Sequence, residues 1–312
     1  MPPQTERYLD LARQGRNQWW LYALGVFIIA FSSIGLVFLL AFLLAFLLRI
    51  LIGLGMLPLV DAQRFIRVLL GKEPGNSVLH FVVLNLSIIT MLAGLAIAVK
   101  LLHRRTLLSL VTPDPPIDWR RIARGAVVWI VLVAAFTAFE HVLFPDRYRL
   151  SFNAERFFPF LLPVLVLTPL QAATEELVLR GYLMQALGLL TRRPALIAIL
   201  SSLAFTALHL WNPEVERHGV AIMAANYFVF GMLLSTIALR DGRLELAIGL
   251  HAVNNVSLLV INSEGSVFKT ESIFTSPYDP AYSLVFVSIS TLAFHWWIFG
   301  RSGMRSAPPL AR

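Results

Sequence analysis

From Trp19 to Leu48 the chain runs without a single charged side chain, and several later stretches of about 20 residues are almost as apolar. A run of that length matches the hydrocarbon thickness of a bilayer. Only 14% of the 312 residues are charged and 57% are hydrophobic, whereas soluble domains carry about 25% charged residues. These features predict an all-α protein, a polytopic transmembrane helical bundle of about eight spans in a lipid bilayer. The first run is too long for a signal h-region and has no small-residue cleavage site after it, so it reads as an uncleaved span. The expected spans are Trp19–Leu48, Val78–Val99, Ala126–Phe144, Phe157–Leu190, Ala195–Trp211, Val220–Leu239, Leu244–Ile261 and Ala281–Phe299. An amphipathic stretch around Asp61–Leu70 reads as an interfacial helix, and residues 1–18 read as a polar leader to the first span.

Charge orients this array. Sixteen lysines and arginines fall on the side of the N-terminus, in 1–18, 100–124, 192–193, 240–243 and 301–312, against nine on the other side. The positive-inside rule then places both termini in the cytoplasm, and the preference for arginine over lysine fits a GC-rich bacterial genome, hence a bacterial inner membrane. The formal net charge of +8 is that same signature, so no nucleic-acid partner is inferred. The chain has no cysteine, which excludes disulfides, thiolate metal sites and a Cys nucleophile. Three regions follow: 1–156 with three spans, a core at 157–262, and 263–312 with a loop, the last span and a cytoplasmic tail.

The core holds the chemistry. Thr174-Glu175-Glu176-Leu177-Val178-Leu179-Arg180-Gly181 puts two carboxylates and an arginine into an apolar helix. Ionisable groups at that depth are costly and mark sites that face a protein interior or a wet cavity. Glu176 and Arg180 stand four apart on one helical face and can pair, while Glu175 points roughly 100° away. Loss of either partner of a buried pair costs about 3–5 kcal/mol. Pro159, Pro163 and Pro169 are expected to break the first half of this helix, leaving it regular from about Leu170.

Depth links a second helix to the first. Glu175 lies 17 residues before Arg192, and His209 lies 16 after Arg193. Antiparallel packing about that turn brings both to one height, about 25 Å from it. His251 and Asn255 share a face of the seventh span but lie only about 12–18 Å from the Arg243 turn. Asn226 is a further candidate to line a cavity. No His-Glu-x-x-His zinc helix occurs. Gly300-Arg301-Ser302-Gly303 and Tyr278-Asp279 match other intramembrane protease patterns only by chance of context.

Glu175-Glu176-x-x-x-Arg180, Phe205-x-x-x-His209 and His251-x-x-x-Asn255 together resemble the three-motif signature of the CPBP intramembrane proteases, the CAAX protease and bacteriocin-processing or Abi family. The resemblance covers about residues 157–262. It implies an intramembrane endopeptidase acting on a peptide or membrane-protein substrate, reached from the cytoplasmic side. It further implies Glu175 as the base that activates water with His209 beside it, and His251 and Asn255 as oxyanion donors. Glu176, Arg180 and Phe205 are then supporting residues. Glu175, His209 and His251 are also reasonable ligands for a divalent metal such as zinc, and the resemblance leaves metal dependence open. Two other readings compete. A transporter or proton relay also uses buried Glu, His and Arg, though no inverted repeat is visible. A non-catalytic bacteriocin-immunity or scaffold protein could share the fold.

Overall fold

The computed structural model describes residues 1–70, 72, 78–263 and 270–300. Lys269, Arg301, Arg305, Arg312, most of the Gly300–Gly303 pattern and the expected cytoplasmic tail therefore lie outside the described residues. Among those described, six helices are long and apolar enough to cross a membrane: Trp19–Gly53, Val78–Leu102, Trp119–Leu143, Ala154–Leu190, Val220–Asp241 and Pro280–Gly300. The protein is an all-α integral membrane protein.

In chain order, α1 is Pro3–Asp10, α2 is Trp19–Gly53 and α3 is Leu59–Leu69, the last at the interfacial stretch. The next helix, α4, spans Val78–Ile97 and continues as a π-turn to Leu102; α5 is Leu108–Val111 and α6 is Trp119–Leu143. Asp118 caps α6 by accepting from the Arg120 N–H, so this helix takes in Arg120, Arg121 and Arg124 rather than starting at Ala126. A short strand, β1 (Arg149–Leu150), precedes α7 (Ala154–Glu176). All three prolines sit inside a continuous α7. The irregularity falls after the glutamates instead, as a π-helix over Leu177–Leu183, followed by α8 (Met184–Leu190). Neighbouring helices in a bundle can satisfy the backbone groups that proline frees, which is why the expected break is missing.

The fifth and seventh expected spans are shorter helices. They are α9 (Pro194–His209), with 16 residues, and α12 (Glu245–Val256), with 12. Between them lie α10 (Pro213–His218) and α11 (Val220–Asp241). At 1.5 Å per residue, α9 and α12 reach only about 24 and 18 Å, short of a core of about 30 Å. Both start at charged turns on the face that carries α1, so both end at membrane depth. Irregular backbone is tolerated there only against protein or a water-filled cavity. After α12 come β2 (Ile261–Ser263), β3 (Phe274–Ser276) and α13 (Pro280–His295). In the small sheet β3 is central, antiparallel to β1 with Arg149 opposite Thr275 and parallel to β2 with Ile261 opposite Phe274.

Helix α2 is exposed along nearly all of its apolar length. Phe27, Phe31, Phe38 and Phe42 are exposed along it, as expected of a lipid-facing helix. The opposite extreme is α12, which crosses α6 at two glycines. A Cβ at Gly249 would overlap the Ile122 carbonyl oxygen, and one at Gly125 would overlap that of Leu246. This backbone-to-backbone contact seats α12 and fixes the height of His251.

The leader is not a free polar tail. Tyr8 and Leu9 are fully buried, in a cluster with Met184, Ile197, Leu239 and Leu244. The Tyr8 hydroxyl donates into the space between the carbonyls of Leu110 (2.8 Å) and Arg180 (3.0 Å). Thr5 donates to the Leu239 carbonyl at 2.7 Å. The segment thus closes the base of the bundle. Beside it, His103 donates from Nδ1 to the Arg16 carbonyl at 2.7 Å and accepts at Nε2 from the Tyr182 hydroxyl at 2.7 Å. Burial, the dominant cause, lowers the His103 pKa below its ordinary 6.5.

Two outcomes follow. Gly249→Ala lowers stability by about 1–3 kcal/mol through overpacking, whereas Gly53→Ala, with nothing near its Cβ position, is neutral; unfolding in detergent micelles measures both. The unfolded chain protonates His103 near pH 6.5 and the folded chain only at lower pH. Stability is therefore full above that value and falls as pH drops toward the folded pKa. His103→Gln should flatten this acid limb in a series of unfolding curves.

Candidate active site

Helix α7 carries Gln171, Glu175 and Glu176 where it passes between α4 and α12. Gln171 and Glu175 are one turn apart on the same face, and the Gln171 amide donates to Glu175 Oε1. Glu176, on the neighbouring face, is fully buried and accepts at Oε1 from Arg180 Nη1 at 2.9 Å. The same oxygen accepts from His251 Nδ1 at 2.8 Å.

Arg180 is fully buried as well. Its other donors reach the Gly231 carbonyl at 3.2 Å and Ser235 Oγ at 3.4 Å. Its guanidinium lies 4.7 Å from the Phe205 ring centroid. One cation thus ties α7 to α9 and α11. It does so from within the π-helix, a feature often found at functional sites.

The two histidines face one carboxylate oxygen. With Nδ1 held by Glu176, His251 turns Nε2 toward Glu175 Oε2 at 3.9 Å. His209 donates from Nδ1 to the Phe205 carbonyl at 2.7 Å and turns Nε2 toward the same Oε2 at 4.0 Å. The His209 ring packs against Phe205 and Tyr227, at centroid distances of 4.1 and 4.8 Å. Glu175 Oε2 itself is buried without a direct hydrogen-bond partner. Polar groups at such separations are those that a shared water joins. With hydrogen bonds of about 2.8 Å, one water on Oε2 and both Nε2 atoms gives these spacings.

The same three residues are the candidate metal ligands, and the geometry speaks against them in that role. Two ligands of one tetrahedral zinc at about 2.0–2.1 Å stand about 3.4 Å apart, closer than either histidine stands to Glu175. Among the described residues no group of three His, Asp or Glu is placed to hold a metal ion.

Asn255 joins the cluster through Gln171, which meets Glu175 Oε1, whereas the histidines face Oε2. Its Nδ2 donates to Gln171 Oε1 at 3.2 Å, and its Oδ1 accepts from Asn254 at 3.0 Å. One N–H of this Nδ2 is thus taken by Gln171, and the amide carries a second. Gln171 was not singled out from the sequence. Its position four residues before Glu175, in an apolar helix, was the available signal. Nor was the link from Glu176 to His251, which no spacing within one helix reveals.

A cavity of about 640 Å³ meets this cluster. Leu84, Ile88 and Met91 of α4 give it an apolar wall, and Asn226 lines it as expected. Toward the end that carries α10 and the sheet it is lined by Asn212, Glu214, Asn262 and Tyr278. Asp279, next to that tyrosine, caps α13 by accepting from the Ala281 and Tyr282 N–H groups. At the other end the buried Glu176, Arg180 and Phe205 close it, and none of the described lining comes from α1, α5 or α8.

Residues 155–257 match the family model described as type II CAAX prenyl endopeptidase Rce1-like. That span holds every candidate site residue from Glu175 to Asn255. A Bacillus subtilis (strain 168) protein described as uncharacterized protein YyaK is 32% identical over 216 residues, covering 67% of this chain and 72% of its own. No solved structure matches the chain significantly.

Proposed function

The chain belongs to the Rce1-like family of type II CAAX prenyl endopeptidases, and from that premise we propose that it hydrolyses peptide bonds at membrane depth with Glu175 as the base. The observation that carries this reading is the convergence of two imidazole Nε2 atoms on Glu175 Oε2, at 3.9 and 4.0 Å. Each residue then has a distinct task. Glu175 Oε2 takes a proton from water as the water oxygen bonds to the scissile carbonyl carbon. His209, its Nδ1 proton committed to a backbone carbonyl, presents the Nε2 lone pair that orients this water. His251, acting as the imidazolium with Nδ1 held on the Glu176 carboxylate, donates from Nε2 to the developing oxyanion in a low-dielectric setting. Collapse breaks the C–N bond, and Glu175 returns the proton to the leaving amine. Glu176, Arg180 and Phe205 hold these groups in place, and Asn255 acts on the Glu175 side through Gln171. No step passes through a metal.

The substrate class follows from the cavity and the family. An apolar α4 wall beside a polar cleft suits a peptide that carries a lipid chain or lies in the bilayer. The cavity extends toward the end opposite α1. If the basic N-terminal face is cytoplasmic, the peptide enters from the extracytoplasmic side, not from the cytoplasmic side that the motifs alone suggest.

Two experiments test the reading. A farnesylated, internally quenched peptide with a C-terminal CAAX sequence, and its unprenylated twin, serve as probes in proteoliposomes. Cleavage of at least one is expected, unaffected by a chelator, and Glu175→Gln should lower the rate by about 10²–10⁴-fold. A folded Glu175→Gln protein that cleaves at the wild-type rate sinks the proposal. Because the chain has no cysteine, single Asn212→Cys and Gln14→Cys variants map its sides cleanly. A membrane-impermeant maleimide added to intact cells should label the first and spare the second, and the reverse pattern would refute extracytoplasmic entry.

A further inference from the structure

Four hydrogen bonds run in series from the core of α6 to the Glu175 carboxylate. Trp129 Nε1 donates to Asn254 Oδ1 at 3.1 Å. Asn254 Nδ2 donates to Asn255 Oδ1 at 3.0 Å, and Asn255 Nδ2 donates to Gln171 Oε1 at 3.2 Å. Gln171 Nε2 then donates to Glu175 Oε1. Trp129 is fully buried and Gln171 nearly so, at 2% exposure.

The two ends of this series fix its direction. An indole N–H can only donate, and an ionised carboxylate can only accept. Each of the three amides between them must therefore present its oxygen toward Trp129 and its nitrogen toward Glu175. Flipping any one amide would place two donors or two acceptors face to face. The direction thus follows from the chemistry of the two ends. Hydrogen bonds in a chain of one polarity also strengthen one another, by about 10–30% per bond.

We propose that this chain is the device that positions the base, with Gln171, Asn254, Asn255 and Trp129 as positioning residues for Glu175. It engages Oε1 and leaves Oε2 as the oxygen that faces both histidines. Without it the carboxylate could turn about its last bond, and either oxygen could face the water. Trp129 lies outside the segment that matches the family model, so this end of the chain is supplied by the N-terminal region. The catalytic meaning of the chain rests on the peptidase reading, but the chain itself can be read without turnover.

One test therefore needs no substrate. In the 15N-indole spectrum of the full-length protein in micelles, the Trp129 resonance is assigned by its loss in Trp129→Phe. Gln171→Met keeps the bulk of the side chain and removes its donor and acceptor. It should move the Trp129 indole proton upfield, three links away; an unmoved resonance overturns the chain. The second test uses the farnesylated and unprenylated peptide probes. Gln171→Met should lower kcat by about 10- to 100-fold, the scale of lost outer-shell support, with KM within about twofold. Trp129→Phe should lower kcat less, and the double variant should be no slower than Gln171→Met alone, since a broken chain cannot be broken twice. Multiplying losses or a KM effect of equal size would overturn the positioning role. Should Trp129→Phe not fold, Asn254→Ala cuts the same link. If the wild-type protein cleaves neither probe, the peptidase reading fails, and the indole measurement still decides the chain.

Discussion

One carboxylate oxygen holds the site together. Glu176 Oε1 accepts from Arg180 and from His251, and through Arg180 it is joined to α9 and α11. All three side chains are buried, so the charges of Glu176 and Arg180 have been taken out of water. A pair of this kind contributes little net stability against an apolar replacement, yet removing one member leaves an uncompensated charge. Its value here is geometric. Arg180 balances the carboxylate, the carboxylate fixes the His251 Nδ1, and Nε2 is thereby aimed at Glu175. The adjacent acids have different tasks because the helix points them to different neighbours. Glu176 faces a cation and an imidazole nitrogen, whereas Glu175 faces a cavity.

Water at this depth comes from the shortness of two helices. Those bearing His209 and His251 stop inside the span that a full crossing would need, and chain ends cannot be left facing lipid. The helix ends and the polar cavity are thus one feature. His209 is the last residue of α9, and Asn254 and Asn255 lie in the last turn of α12, so the polar groups sit where the backbone itself requires a wet environment. The apolar wall comes instead from α4, a full-length helix.

Much of this was legible in the chain. Apolar runs give the membrane helices, because lipid demands them residue by residue. The pairing of Glu176 with Arg180 is a local spacing rule, and the common height of Glu175 and His209 follows from counting rises about one turn. The same count placed His251 too shallow, since it supposes that both turns lie at one depth and all axes are parallel. The seat of α12 is set by its crossing with α6 at Gly125 and Gly249, which no count of rises contains. Tyr8 and Leu9 were hidden for a related reason. They sit among Glu6, Arg7 and Asp10, and their burial depends on a surface built from residues more than 100 positions away. Gln171, Asn254 and Trp129 were illegible because a lone amide or indole in an apolar helix reads as packing until its partners are known.

The shape of the cavity also bears on the alternative of a transport protein. Alternating access needs a site that both faces can reach, usually between two repeats that rock about it. Here the polar cleft is lined at one end by loop residues and closed at the other by the buried Glu176, Arg180 and Phe205. Beneath that floor lies a second layer, in which Tyr8 donates toward the Arg180 carbonyl and Leu9 packs into the base. A single-ended cleft with a buried, hydrogen-bonded floor suits chemistry performed on a substrate that enters and leaves by the same mouth.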